Sequence, residues 1–303
     1  MATSLSAVPS GTLVAIGGAE DKLHKASVLR RFVELSGGEG ARIAVCAGAS
    51  AIPDQVTDLY TAVFSDLGAD AVPLTPGSRA AAGDPALARE LDHMTGVFLT
   101  GGNQIKLAQL LVGTALGDAI VAAHRSGRTI GGTSAGASVM SEHMVAFGTG
   151  GATPKHRSAQ LARGLGLLPG AVIDQHFKQR NRYGRLLALV AASPSLLGVG
   201  IDEDTAAVVT GGRVLEVAGR GCVFVVDASG ATTNAASASR TQPLLVSGAV
   251  VHTIPAGFHF DLEERRLLDR PTATHPAEAH DLAAAAVEAR EVARRRAVQD
   301  ARE

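Results

Sequence analysis

Cysteine is scarce in this sequence: 303 residues hold two, Cys46 and Cys222. Each sits inside an apolar, strand-like run, at residues 43–47 and 222–226, so both read as small buried thiols, with no disulfide framework and no cysteine ligand pair. Net charge is almost absent too, at −1, which removes the global field that would draw a nucleic acid backbone or an anionic membrane. Any charge selectivity must be local. The one basic run, Arg294 to Arg296, lies in an Ala-rich terminal segment beside Glu288, Glu291 and Asp300 and reads as a solvated helix face. No apolar run approaches the roughly 18 residues that span a bilayer. Residues 1–9 offer neither the basic start nor the apolar stretch of about 7 to 15 residues of a secretory leader, so the expected location is the cytoplasm. No internal repeat is visible, and neither H-x-x-x-H nor paired-cysteine spacing occurs.

What is present is the composition of a globular chain, 46% hydrophobic and 19% charged, long enough to bury a sizeable core. Short β-branched runs at 12–16, 42–47, 71–74, 96–100 and 129–130 alternate with helical spacing over 22–35, 53–67 and 104–124. That pattern predicts an α/β fold, a mostly parallel sheet with helices on both faces. The glycine pairs Gly17-Gly18, Gly101-Gly102 and Gly131-Gly132 are each expected to follow a strand, at the sheet end where α/β proteins form their ligand crevice. Past residue 200, tight turns separate strand-like runs at 206–210, 213–218, 221–226 and 244–253, the pattern of antiparallel strands. The expected organisation is a single domain over 1–303: a core at about 11–210, a β-rich extension at about 211–270 forming the far edge of the sheet, an exposed loop at 231–241 and a terminal helix over 276–302.

The strongest local signal is Gly131-Gly132-Thr133-Ser134-Ala135-Gly136-Ala137, which contains a G-x-S-x-G elbow leading into a helix near Ala137. A serine raised on a sharp strand-to-helix turn needs glycines on both sides, and the turn exposes its oxygen beside the N–H groups of the next helix, donors suited to an oxyanion. The same letters also occur in turns without chemistry. A serine nucleophile needs a base, and His176 closes the strand-like run 172–176, where its imidazole would share a sheet edge with Ser134. The group orienting that base lies among Asp202, Glu203 and Asp204, at the start of a strand, and composition does not choose between them. A rival chemistry is metal binding by Asp174, His176, Asp202 and Asp204, which would leave the elbow unexplained.

Three arginines follow the histidine directly. Arg180, Arg182 and Arg185 are either the exposed face of an amphipathic helix or forked partners for substrate carboxylates beside the nucleophile. Thr100-Gly101-Gly102-Asn103-Gln104 is either a strand end offering backbone N–H groups from the side opposite the elbow or an ordinary turn with Asn103 as helix N-cap.

Five segments in this order resemble the cyanophycinase branch of the serine peptidases, which also contains the α-aspartyl dipeptidases: Gly17-Gly18-Ala19-Glu20, Gly101-Gly102-Asn103-Gln104, Gly132 to Ala137, Asp174-Gln175-His176-Phe177 with its arginines, and Gly200 to Ala206. The resemblance covers residues 11–210 and leaves the chain after about 240 unaligned. It implies a class I glutamine amidotransferase-like fold and a nucleophile, base and acid in the order Ser134, His176, Glu203; an α/β-hydrolase would place the acid before the histidine. It further implies oxyanion donors at Gly102 and Ala135 and a pocket lined by Asn103, Gln104, Asp174, Gln175, Arg180, Arg182 and Arg185. Glu20 or Asp174 would meet a substrate guanidinium. The implied activity is exopeptidase cleavage of cyanophycin, a polyaspartate bearing arginine side groups, to β-Asp-Arg dipeptides. No metal, cofactor, nucleic acid or membrane is implied, and the implied assembly is a homodimer. Two other readings stay open: an α-aspartyl dipeptidase with a smaller pocket, and a non-catalytic amidotransferase-like binding protein.

Overall fold

The structure, a computed structural model, describes residues 10–239 and 242–268. Strand β1 (Leu13–Ile16) is apolar throughout because helices cover both faces of its sheet: Leu13 and Ala15 enter one core cluster, Val14 and Ile16 the other. Helix α1 (Ser27–Leu35), strand β2 (Arg42–Cys46), helix α2 (Pro53–Asp66) and strand β3 (Asp70–Pro73) follow. On this face Phe32, Tyr60, Phe64 and Phe98 form one aromatic cluster with ring centroids 5.0 to 6.0 Å apart. The short helices α3 (Arg79–Ala82) and α4 (Pro85–Arg89) lead to β4 (Gly96–Leu99). Helices α5 (Gln104–Leu111) and α6 (Ala115–Arg125) cover the opposite face with Leu107, Leu111, Leu116 and Ile120, before β5 (Thr129–Thr133) and the one-turn α7 (Ala135–Ser138).

The single helix expected over 104–124 is thus two, bent by 90° at residues 112–114. Gly113 takes φ 69°, and the Thr114 hydroxyl accepts the Gly117 N–H as a fresh N-cap. Gly131 and Gly132 lie within β5 rather than after it, and α7 begins at Ala135. No single helix among the described residues is long and apolar enough to cross a membrane.

The chain continues through the hairpin β6 (His143–Gly148) and β7 (Ala159–Arg163), then β8 (Ala171–Asp174), α8 (Tyr183–Ala192) and β9 (Leu197–Ile201). Next come β10 (Thr205–Thr210), β11 (Val214–Gly219), β12 (Cys222–Asp227), β13 (Thr232–Thr233), β14 (Val246–Ser247), β15 (Val250–Pro255), β16 (His259–Asp261) and β17 (Arg266–Leu267). The main sheet has the order β17-β16-β11-β10-β1-β5-β4-β2-β3. From β1 towards β3 every pairing is parallel, and from β1 towards β17 every pairing is antiparallel. The α/β class holds, but a mostly parallel sheet does not: four of its eight pairings are antiparallel, and the tight turns joining β10 to β11 and β16 to β17 allow only antiparallel returns.

A second sheet, β15-β12-β9-β8, takes part of what the sequence assigns to the far edge of one sheet. Its β8–β9 pair is parallel, crossed over by α8. The expected strand 244–253 is divided between β14 and β15, and the segment read as an exposed loop carries β13, paired with β14, and buried Ala235. The helix expected over 276–302 lies outside the described residues.

Register decides what meets. Ile16 at the end of β1 faces Thr133 of parallel β5 on one side and Ala206 of antiparallel β10 on the other. In the second sheet Asp174 faces Gly200, and β9 runs through residues 202–204 into β10 of the main sheet. The segments around Ser134, His176 and Glu203 therefore converge on the seam between the two sheets.

Candidate active site

Ser134 stands between β5 and α7 with φ 53° and ψ −110°, a conformation that side-chain-bearing residues rarely adopt. Its N–H donates to Ile16 O at 3.0 Å, tying the turn to β1. Close packing explains the glycine that follows: a Cβ on Gly136 would lie 2.0 Å from Leu99 O of β4. The N–H groups of Ala135 and Gly102 make no hydrogen bond among the described residues, and Gly101 lies against the Ser134 side chain.

His176 reaches Ser134 from the second sheet, not from the edge of the same one. Its N–H donates to Gly17 O at 2.7 Å, its φ is 47°, and its ring is almost buried. Nε2 lies 3.0 Å from Ser134 Oγ, and Nδ1 lies 2.6 Å from Glu203 Oε1. Among Asp202, Glu203 and Asp204, only Glu203 faces the imidazole. Asp202 accepts the Lys178 and Cys222 N–H groups, while Asp204 accepts the Asp21 N–H and pairs with Arg220 at 2.5 Å. These separate partners, and that of Asp174 below, show that the four groups of the rival metal reading do not converge; no cluster of metal-ligating side chains occurs among the described residues. Burial lowers the His176 pKa, the Glu203 hydrogen bond opposes this, and the charges of Arg180 and Arg182 lower it further. The net direction is downward, so the imidazole is neutral at neutral pH and able to accept a proton.

The three arginines divide. Arg180 is exposed, whereas Arg182 and Arg185 are buried and share the fully buried carboxylate of Asp174. Arg182 Nη1 lies 3.0 Å from Asp174 Oδ1 and also donates to Gln175, through both its backbone and side-chain oxygens. Arg185 donates through Nε to Asp174 Oδ2 at 2.7 Å, through Nη2 to Oδ1, and through Nη1 to Gly148 O at 2.9 Å. Neither an exposed helix face nor three free clamps describes this. Nε and Nη2 of Arg182 are left free by the described residues and are not sealed from solvent. Burial pulls the Arg182 pKa down to about 10, which leaves it a cation at neutral pH. Three guanidinium groups against one carboxylate make this wall cationic.

Asn103 is exposed and caps α5, its Oδ1 accepting the Lys106 N–H at 3.0 Å, and Gln104 donates to Ala146 O of β6 at 2.8 Å. The two carboxylates suggested for a substrate guanidinium are already engaged, Asp174 as above and Glu20 by Thr133, Tyr60 and Lys22. Two supporting residues are not among the candidates that the sequence offers. Gln179 Oε1 accepts the Glu203 N–H at 3.1 Å, and Tyr60, one of two tyrosines, points its hydroxyl at Glu20 from the apolar face of α2. A tyrosine on an apolar helix face does signal that its hydroxyl needs a buried partner.

The sequence profile of peptidase family S51 matches residues 13–217, which hold every residue of this site. The chain belongs to peptidase family S51. The cyanophycinase of Trichormus variabilis is 40% identical over 84% of this chain and 87% of its own length. That of Geminocystis herdmanii is 38% identical over 82% and 93%. The crystal structure of a peptidase from an acI-B1 actinobacterium superposes with a TM-score of 0.62 at 20% identity, covering 84% of this chain and 98% of that one, which shows the shared fold alone. As an S51 member the chain is a serine peptidase, a hydrolase.

Proposed function

We propose that this chain hydrolyses cyanophycin as a serine-type exopeptidase, releasing β-Asp-Arg dipeptides through an acyl-enzyme. The observation that carries the reading is the hydrogen-bonded row Ser134, His176 and Glu203 beside a cationic wall, in a chain 40% identical to cyanophycinases. Ser134 Oγ attacks the backbone carbonyl carbon joining two aspartates while His176 Nε2 takes its proton. Glu203 holds the imidazole by its Nδ1–H and stabilises the imidazolium that forms. The N–H groups of Gly102 and Ala135 receive the oxyanion. The C–N bond then breaks, His176 returns the proton to the leaving amine, and water, deprotonated by His176, releases the acyl group and restores Ser134.

On the substrate side, the exposed Arg180 and the free edge of Arg182 meet arginine α-carboxylates of the polymer, with Gln104 and Asn103 on the opposite rim. Asp174, Gln175 and Arg185 hold Arg182 in place from behind. The same reading carries a homodimer working in the cytoplasm without metal, cofactor, nucleic acid or membrane. The decisive experiment incubates purified protein with insoluble cyanophycin and identifies the soluble product by mass, with Ser134→Ala as control. A β-Asp-Arg dipeptide from wild type alone is expected. An insoluble polymer left intact, with an Asp-X dipeptide cleaved instead, overturns it.

A further inference from the structure

The loop after β1 takes no part in the chemistry above, yet it touches His176 directly and the chain neighbours of Ser134 and Glu203. Its Glu20 is 4% exposed, and its carboxylate is fully engaged. Oε2 accepts the Thr133 hydroxyl at 2.6 Å; Oε1 accepts the Tyr60 hydroxyl and pairs with Lys22 Nζ at 2.8 Å. Burial by itself raises this carboxyl, but the Lys22 charge and the three hydrogen bonds outweigh burial and hold it below its ordinary range, an anion at neutral pH. Thr133 is the residue immediately before Ser134. In the same loop Gly17 O accepts the His176 N–H, and Gly18 O accepts the Asp204 N–H at 2.9 Å, next to Glu203. A Cβ on Gly18, at φ 99°, would lie 2.3 Å from the His176 ring, so the imidazole occupies the space of the missing side chain. Ala19, Ser134, His176 and Asp204 all take left-handed φ between 47° and 53°. Backbone of this kind persists only where its surroundings hold it.

We propose that Glu20 is a positioning residue for the nucleophile: its buried carboxylate grips the Thr133 hydroxyl and thereby keeps the strained Ser134 turn in line with His176. This rests on the reading of Ser134 as nucleophile, and the test separates the two. Full-length Thr133→Val, Thr133→Ser and Glu20→Gln are compared with wild type in the rate of covalent labelling by an organophosphonate. Labelling is located by mass, with Ser134→Ala as the blank, and followed by kcat and KM on cyanophycin and by thermal melts. Thr133→Val should label and turn over roughly 10- to 100-fold more slowly with KM unchanged, the size of effect a slightly misplaced reacting group produces. Thr133→Ser, which keeps the hydroxyl, should return to within about threefold of wild type. Glu20→Gln, which keeps one acceptor oxygen but not the charge, should fall between them. Wild-type labelling at Ser134 with an equally fast Thr133→Val overturns the positioning role alone. A loss that serine fails to restore, or that tracks loss of a cooperative melt, also overturns it, in favour of a purely structural role. No labelling of wild type above the Ser134→Ala blank removes the nucleophile, and the proposal with it.

Discussion

Two buried carboxylates flank the Ser134–His176 pair, and they are compensated in opposite ways. Glu20, on the main-sheet side, is held by two neutral hydroxyls and one partly exposed lysine. Asp174, on the second-sheet side, is held by two buried guanidinium groups. A buried carboxylate needs partners in either case, but the choice of partner sets what the wall can do. Hydroxyls end at the carboxylate and fix backbone, which suits the side that carries the strained nucleophile. Guanidinium groups have donors to spare, and the described residues leave Nε and Nη2 of Arg182 free, which suits a side able to hold carboxylates.

The largest test of this contrast asks whether the two sides meet at one atom. Ser134→Ala should lower turnover by on the order of 10⁴-fold or more, as removal of a serine nucleophile does elsewhere, while its urea unfolding curve stays at the wild-type midpoint. Near wild-type turnover would separate the walls from the chemistry. Next in size comes stability. Asp174→Asn leaves Arg182 and Arg185 buried without an anion, and breaking a buried pair costs about 3–5 kcal/mol. Glu20→Gln leaves two hydroxyls and a lysine that water reaches, and should cost less, about 1–3 kcal/mol. Urea denaturation of both at pH 7 checks the order. Equal losses would erase the distinction between the walls.

The elbow side was far more legible in the sequence than the second-sheet side. Ser134 and the strand before it lie in one contiguous motif, G-x-S-x-G after a β-branched run, because a local turn dictates local residues. His176 was legible as a strand-end histidine, but its sheet was not: pairing of β8 with β9 across α8 is long-range, and periodicity within a strand carries no record of its neighbour. Glu203 stood among three adjacent carboxylates. Their separation by role depends on hydrogen bonds from Lys178, Cys222, Asp21 and Arg220, drawn from four other segments. The break at Gly113–Thr114 was written in the sequence as a glycine and an N-cap, but the apolar spacing ran through it. Burial of Arg182 and Arg185 went unseen because their counter-ion, eight and eleven residues away, is a lone aspartate at a strand end.

Arg180 offers a sharper cut through the cationic wall than its two neighbours, because it is exposed and its loss leaves no buried charge behind. Arg180→Ala should lower kcat/KM on cyanophycin by roughly tenfold to a hundredfold, the equivalent of about 1.5–3 kcal/mol for a charge-assisted contact, with an unchanged melt. Arg180→Lys should recover part of that, since an ammonium keeps the charge without the planar fork.

The smallest effect is the most discriminating, since it asks whether the cationic wall acts on the base as well as on substrate. His176 is depressed below its ordinary pKa by burial first, with the Arg180 charge among the further causes. Its imidazolium cannot take the serine proton, so activity is lost as pH falls through the His176 pKa. A depressed value keeps the enzyme working further into acid. Removing a nearby positive charge makes protonation easier, so Arg180→Ala should raise the His176 pKa and move the acid limb of kcat/KM to higher pH. That limb reports the free enzyme, so substrate held elsewhere on the wall does not disguise it. Arg180→Lys should leave the limb at its wild-type position even though its kcat/KM stays below wild type, because the charge is kept and the fork is lost. A pH series on the three proteins separates the contributions. If the limb of Arg180→Ala coincides with that of wild type while kcat/KM falls, Arg180 acts on substrate alone and His176 owes its depression to burial and Arg182.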